Sequence, residues 1–222
     1  MQSKTFINLI IRKKMKKILV AIMAVLFSAP SFAQYSSGGF SLSESSVYYG
    51  IRLGMNIATL TGDDAPDMGS KVGLNFGGTV GLRLSDTTPL FLESGLYFTG
   101  CGASKDKNSI SLNYLELPLL IKYGIQATDD IAILPFIGPT FRYGLFGGKW
   151  KTAGAGKVNS FDDGHFKRAD VGIKLGCGAE YNKLYAELGY QFGITNIADW
   201  SVGNDDASVK NGALFINLGV NF

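Results

Sequence analysis

The sequence predicts an all-β protein, an eight-stranded antiparallel up-and-down transmembrane β-barrel. Three observations predict it. From Tyr48 to the last residue, apolar positions recur with period two, the side-chain period of a strand. The connections between these segments are short and long in turn, as in outer-membrane barrels. The aromatic residues of the apolar face gather at the segment ends around an aliphatic band, as interfacial girdles do.

The front of the chain differs. Lys13, Lys14, Lys16 and Lys17 precede "ILVAIMAVLF", which leads through "SAPSFA" to Gln34. A basic start, an apolar run of this length and a small-x-small end make residues 1–33 a secretory signal peptide, with Met15 the better start and cleavage after Ala33. No cysteine follows that point to carry a lipid anchor. Residues 34–47, with "YSSGGFSLSESSV", read as a flexible periplasmic lead-in, and 48–222 as the barrel. No apolar run reaches the ~18 residues of a membrane helix. The leader carries six cations and no anions, so the remainder holds 15 basic against 18 acidic residues, a formal charge of −3. The net charge of +3 belongs to the leader, and a nucleic-acid partner loses its main support.

The eight segments fall at 48–60, 71–84, 90–102, 109–125, 131–146, 167–181, 184–197 and 212–222. In the first, Tyr49, Ile51, Leu53, Met55 and Ile57 oppose Gly50, Arg52, Gly54 and Asn56. In the second, Val72, Leu74, Phe76, Val80, Leu82 and Leu84 oppose Lys71, Gly73, Asn75, Gly77, Thr79, Gly81 and Arg83. The third places Glu93 inward and Phe98 outward. The fourth sets Leu115, Leu117, Leu119, Ile121 and Tyr123 against Glu116, Pro118 and Lys122, and the fifth sets Phe141 and Tyr143 against Arg142. The sixth opposes Val171, Ile173, Leu175 and Cys177 to Asp170, Gly172, Lys174 and Glu180. The seventh opposes Leu184, Ala186, Leu188, Tyr190, Phe192 and Ile194 to Glu187, Gly189 and Gln191. In the eighth, Leu214, Ile216, Leu218, Val220 and Phe222 share one face.

Short connections ("SDTTP", "QATDD" and Asn182-Lys183) alternate with long ones: "TGDDAPDMGS", "ASKDKNS", a stretch of about twenty residues around "GGKWKTAGAGKVNSFDDGHF", and "ADWSVGNDDASVK". Threaded up and down, the chain puts Tyr49, Tyr123, Tyr181 and Phe222 at the short-turn end. Phe98, Phe141, Tyr143, Tyr190 and Phe192 lie towards the other. Eleven residues from Leu184 to Ile194, at ~3.3 Å each and ~45° tilt, span about 25 Å. A soluble sandwich or lipocalin-like barrel also alternates, but its second face would not combine so much glycine with so many large charges. Of the two cysteines, Cys177 falls mid-strand on the apolar face and Cys101 at a strand end, positions too far apart for a disulfide, so two free thiols are expected.

The last strand must pair with the first, because an open edge in lipid leaves backbone groups unsatisfied. Its final residue, Phe222, resembles the aromatic signal read by the barrel assembly machinery. On "GIRLGMNIATLTGD", "LNYLELPLLIKYG", "FIGPTFRYGL", "GAEYNKLYAELGYQFGITNI" and the Phe-terminated strand, the chain from about Tyr49 to Phe222 resembles the PorT-like outer-membrane β-barrel family. The resemblance implies an eight-stranded barrel of the Gram-negative outer membrane, in a family named for a member linked to protein secretion and assembly at the cell surface; both termini are expected to be periplasmic.

Three groups of residues bear on chemistry. The inward register collects Arg52, Lys71, Arg83, Lys122, Arg142, Arg168 and Lys174 with Glu93, Glu116, Asp170, Glu180 and Glu187. An eight-stranded barrel is only wide enough for its own side chains to fill, so a salt-bridged plug is expected rather than an ion or solute path. His165, the only histidine, lies beside Ser160, Asp162 and Asp163 in one polar loop with no strand to fix them, against the geometry a hydrolase needs. Acidic groups Asp63-Asp64 with Asp67, Asp162-Asp163 and Asp205-Asp206 fall in long loops, as solvated charges or as cation bridges to lipopolysaccharide phosphates. No metal, cofactor or phosphate-loop spacing is present.

The expected protein is non-enzymatic, with outer-membrane lipid, lipopolysaccharide, the assembly machinery and a surface or periplasmic protein as partners. The loop 146–166, with Trp150, Phe161 and Phe166, is the expected contact surface. A narrow channel or small-solute-binding barrel is the first alternative and a lipid-modifying enzyme the second.

Overall fold

The computed structural model describes residues 47–222 apart from 66–67, 86, 106–107, 147–148, 151–157, 160, 162–165 and 203–204. The leader and most of the lead-in lie outside the described residues. Eight long strands follow one another: β1 (Val47–Thr61), β2 (Gly69–Arg83), β3 (Leu90–Lys105), β4 (Asn108–Tyr123), β5 (Ile131–Phe146), β6 (Ala169–Tyr181), β7 (Leu184–Gly193) and β8 (Lys210–Asn221). Each pairs antiparallel with its sequence neighbour, and β8 pairs with β1, so the sheet closes into a barrel. The closing ladder runs from Gly50↔Asn221 to Thr61↔Lys210. It is finished at the short-turn end by Tyr49 N donating to Phe222 O (3.2 Å) and Phe222 N donating to Tyr49 O (2.7 Å). The last residue is therefore held by the backbone of the first strand.

The strands form because their residues suit two solvents at once. Outward side chains are aliphatic or aromatic and stay uncovered: Ile51 is 61% exposed, Leu184 62% and Leu218 64%. Inward side chains are polar and buried, with Arg52, Glu93, Glu116, Lys122 and Asp170 all 1% exposed or less. A soluble domain does not leave a continuous apolar surface of this extent bare; hydrocarbon outside and a polar interior make it the stable arrangement. Tyr49, Tyr123, Tyr181 and Phe222 stand exposed at the short-turn end, with Phe141, Tyr143 and Phe192 exposed towards the other. Tyr190 and Phe192 lie 4.6 Å apart by ring centroids. The tightest turn, Asn182-Lys183, has Asn182 at φ 54°, a left-handed conformation that asparagine tolerates better than most residues.

Most strand ends differ from the sequence reading by one or two residues, and three strands differ in a way that matters. β1 starts at Val47, one residue earlier. β3 and β4 run on to Lys105 and from Asn108, which pair with each other, so much of the stretch expected as a long loop is strand. Polar residues can continue a strand where it leaves the membrane, and alternation of hydrophobicity then ceases to mark its end. This extension places Cys101 inside β3, buried and facing inward, rather than at a strand end. β7 stops at Gly193 instead of 197, because the chain there turns in over the barrel mouth and buries Ile197 completely.

Both thiols are free, Cys101 buried and Cys177 exposed on the outer face opposite Leu188 and Pro135. In folded protein in bilayers, Cys177 is expected to react with a membrane-soluble maleimide and to resist a charged one, since hydrocarbon excludes charge. Rapid labelling by the charged reagent would mean that this strand is shifted by one residue.

Candidate functional site

The barrel interior gathers many of the charged side chains among the described residues. Towards the short-turn end, Glu93 (β3) gathers three partners from two strands, β4 and β1. Lys122 Nζ lies 2.7 Å from its Oε1, Tyr48 OH donates to Oε2 at 2.6 Å, and Arg52 Nη2 stands 3.7 Å from Oε2. Lys122 also donates to Tyr185 OH (2.8 Å), which donates to Glu187 Oε2 (3.1 Å). Asn217 donates to Glu187 Oε1 (2.7 Å) and accepts from Asn75 (3.0 Å). Arg52 Nη2 donates to Asn221 Oδ1, and Asn221 Nδ2 donates to Glu180 Oε2, both at 2.6 Å. The result is one connected network spanning the lumen.

Above it lies an apolar layer of Leu120, Phe136 and Phe215, with the Phe136 and Phe215 rings stacked at 6.3 Å. Lys174 Nζ sits 4.7 Å over the Phe215 ring and 2.5 Å from Glu116 Oε1, joining this layer to a second network. There Arg142 Nη2 lies 2.7 Å from Asp170 Oδ2, and Arg142 Nη1 lies 3.5 Å from Cys101 Sγ. Asp170 further accepts from Asn211 Nδ2 (2.8 Å) and Thr195 Oγ1 (2.9 Å), and Asn211 donates also to Tyr114 OH (3.1 Å). Gln191 donates to Thr140 at 2.7 Å. Buried charges are tolerated when they find opposite partners and hydrogen bonds; the charges of both networks find partners, while single atoms such as Arg52 Nε, Glu116 Oε2 and Arg142 Nε are left without a hydrogen bond among the described residues.

The long-loop end is closed by apolar packing. Ala58, Leu60, Ala103, Ile110, Leu112 and Tyr114 of the barrel wall meet Phe161, Phe166, Ile197, Ala198, Ala207 and Val209 from the two longest loops, with Ala65, Met68 and Trp200 packed against them. The Phe166 ring stands edge-on to Trp200 at 5.4 Å, and Phe161 edge-on to Tyr114 at 5.6 Å. Asn196 fixes the fold of this cap: its Oδ1 accepts from Ala198 N (3.0 Å) and Val209 N (2.9 Å), and its Nδ2 donates to the Ala207 carbonyl (2.5 Å). Lys167 N donates to Ile197 O at 2.8 Å and ties the two loops together.

Of the residues singled out in the sequence, Arg52, Glu93, Lys122, Glu180 and Glu187 meet in the first network, and Glu116, Arg142, Asp170 and Lys174 in the second. Arg83 lies at the rim of the short-turn end, its Nε donating to Ser85 O (2.8 Å). Lys71 donates to Ser109 Oγ (2.8 Å), to Ile110 O (3.1 Å) and to the Ser111 hydroxyl. Arg168 donates to Gly144 O (3.0 Å) and lies over the Phe161 ring. Phe161 and Phe166 are not presented as a contact surface: both are buried in the cap, because rings at the mouth of a narrow barrel find an apolar wall to cover. The Trp150 side chain, His165, Ser160, Asp162, Asp163 and Asp67 lie outside the described residues. Asp64 accepts from Ser208 N (2.9 Å), and no group of three potential metal ligands occurs among the described residues. Tyr48, Asn75, Tyr185, Asn211, Asn217 and Asn221 were missed. Tyr48, Asn75 and Tyr185 share the inward register of a chosen charge, and Asn217 and Asn221 lie on the inward face of a strand that carries no charge there, so counting all inward polar side chains would have found them; Asn211 precedes the expected start of that strand.

The model of a family described as outer membrane protein beta-barrel domain matches residues 32–199, well over half of the chain. No curated protein matches it. Among solved structures, Neisserial surface protein A is similar at 14% identity and TM-score 0.48, over 80% of this chain and 98% of its own. Ail of Yersinia pestis is similar at 12% identity and TM-score 0.41, over 80% and 100%. OprG of Pseudomonas aeruginosa is similar at 12% and 0.42, over 82% and 98%. With the inverted exterior, the closed eight-strand sheet and this family match, the chain belongs to the outer membrane protein β-barrel family and is an outer-membrane protein.

Proposed function

We propose that the protein is a non-conducting, non-enzymatic barrel, a rigid membrane stalk whose long loops make contacts at the cell surface in assembly or secretion, as its PorT-like sequence suggests. One observation carries this reading: the lumen is occupied by side chains from the Glu93 network, through the Phe136–Phe215 layer and the Glu116–Lys174 network, to the apolar cap. In this reading, residues 1–33 direct export and Phe222 is the assembly signal. The short turns and both termini face the periplasm, and the long loops meet lipopolysaccharide and a protein partner outside. The backbone bonds between Tyr49 and Phe222 support placing the two ends of the barrel chain on one side.

A second reading, a small-solute site in the upper network, is favoured by Glu116 Oε2, Arg142 Nε and Asn211 Oδ1. All three are buried without a protein hydrogen-bond partner, and a polar solute would satisfy them.

Purified protein in planar bilayers is expected to show no steady conductance, and proteoliposomes no saturable uptake of small polar solutes. A stable open level or such uptake would promote the channel reading. Phe166→Ala should lower stability to urea by about 3–5 kcal/mol, the usual cost of removing a fully buried ring, while leaving conductance absent. His165→Ala is expected to leave the lipid composition of the outer membrane unchanged, and altered acylation or head groups would favour an enzyme.

A further inference from the structure

The outer face of β8 cannot fix its own alignment with β1. Its outward pairs are Ile51↔Val220, Leu53↔Leu218, Met55↔Ile216 and Ile57↔Leu214. All are aliphatic, and a two-residue slip, which keeps every side chain on its own face, would exchange one such pair for another. Nor does the chain impose the register at this seam. No covalent connection joins β1 to β8, and β8 is reached from β7 through residues 194–209, too long a loop to transmit a tight-turn register.

The inner face is different. Its pairs alternate large against absent side chains: Gly50↔Asn221, Arg52↔Gly219, Gly54↔Asn217. A Cβ on Gly219 would stand 2.6 Å from Arg52 Cδ, one on Gly50 2.7 Å from Asn221 Oδ1, and one on Gly54 would collide with Asn217 Oδ1. Gly219 is also opposite Tyr185 of β7, and the Arg52 guanidinium lies 4.0 Å over the Tyr185 ring. Arg52 therefore passes across the bare position on β8 to stack on the strand beyond. The flanking amides fix the same alignment chemically. Asn221 accepts from Arg52 of β1 and donates to Glu180 of β6. Asn217 accepts from Asn75 of β2 and donates to Glu187 of β7. An amide has one acceptor end and one donor end, so each asparagine joins an amide or guanidinium donor on the β1–β2 side to a carboxylate on the β6–β7 side. A slip of two in either direction would set Arg52 against an asparagine and two glycines against each other.

We propose that the inward stretch Asn217–Gly219–Asn221 is a register key: it selects the one alignment of β8 on β1 that closes the barrel with its designed stagger. The physical basis is an interdigitating inner seam beneath a degenerate outer one.

The test uses the full chain with both native cysteines replaced by serine, folded into lipid vesicles and treated with an oxidant. Cysteine pairs are placed at Ile51 and Val220, which report the observed register, and at Ile51 and Leu218, which report a slip of two. With the key intact, only the first pair is expected to crosslink. With Arg52→Ala, and separately with Asn217→Ala plus Asn221→Ala, the slipped pair should rise at least tenfold. Arg142→Ala, which breaks an ion pair of the upper network away from the seam, should leave it unchanged. Failure of both seam variants to fold while the Arg142→Ala control folds would equally mark the seam as the requirement for closure. The proposal is overturned if both seam variants fold as well as the control and crosslink only in the observed register.

Discussion

Everything in this molecule follows from the requirement that no backbone polar group be left unpaired in hydrocarbon. A strand in lipid must have a partner on each side, so the eighth must return to the first, and the Tyr49–Phe222 bonds carry that pairing to the last residue. Eight strands enclose a lumen just wide enough for side chains. What the exterior excludes, the interior must then accommodate: charges such as Arg52, Lys122 and Arg142 lie inside because outside they would face lipid. Once inside a narrow space they need partners, and the two networks supply them.

The order of the layers along the axis has a physical sense. The polar networks sit where adjacent or next-but-one strands supply an acid for a base, Glu93 for Lys122 and Glu116 for Lys174. Between them, Phe136, Phe215 and Leu120 fill the lumen without requiring hydrogen bonds, and Lys174 spans the boundary by placing its ammonium over the Phe215 ring. At the mouth, the wall itself turns apolar at Ala58, Leu60, Ile110 and Leu112, so the loops that cover it bury Ile197, Val209 and Phe166 as the core of a small soluble domain would. Asn217 and Asn221 of β8 suit a closing strand, since an amide can accept from a donor on one side and donate to an acid on the other.

Much of this was legible in the sequence because a strand has only two faces. Parity alone separates Arg52 from Ile51 and Glu187 from Leu188, and it assigned the lumen charges before any contact was known. Parity does not say which inward residues meet. The pairing of Lys122 (β4) with Glu93 (β3) and of Lys174 (β6) with Glu116 (β4) depends on the stagger of the strands and the reach of each side chain across the lumen, neither of which is local. The loops failed for a related reason. Phe161 and Phe166 stand in polar, glycine-rich sequence that looks solvent-facing, and only the apolar upper wall, assembled from β1, β3, β4 and β8, gives them a surface to cover. The β3–β4 hairpin continued past its expected end because backbone pairing, not hydrophobicity, holds its polar tip.

The central claim is that the lumen is a dry, mutually compensating network, and a double-mutant cycle on Lys174 and Glu116 tests it most directly. Each single truncation, Lys174→Met or Glu116→Leu, leaves an opposite charge buried alone and is predicted to cost about 3–5 kcal/mol in unfolding from lipid vesicles. The double substitution removes both charges together and is predicted to restore stability to within about 1 kcal/mol of the native protein. Two inexpensive single changes whose effects simply add would contradict the account, because they would show that each charge is already solvated by water in an open lumen.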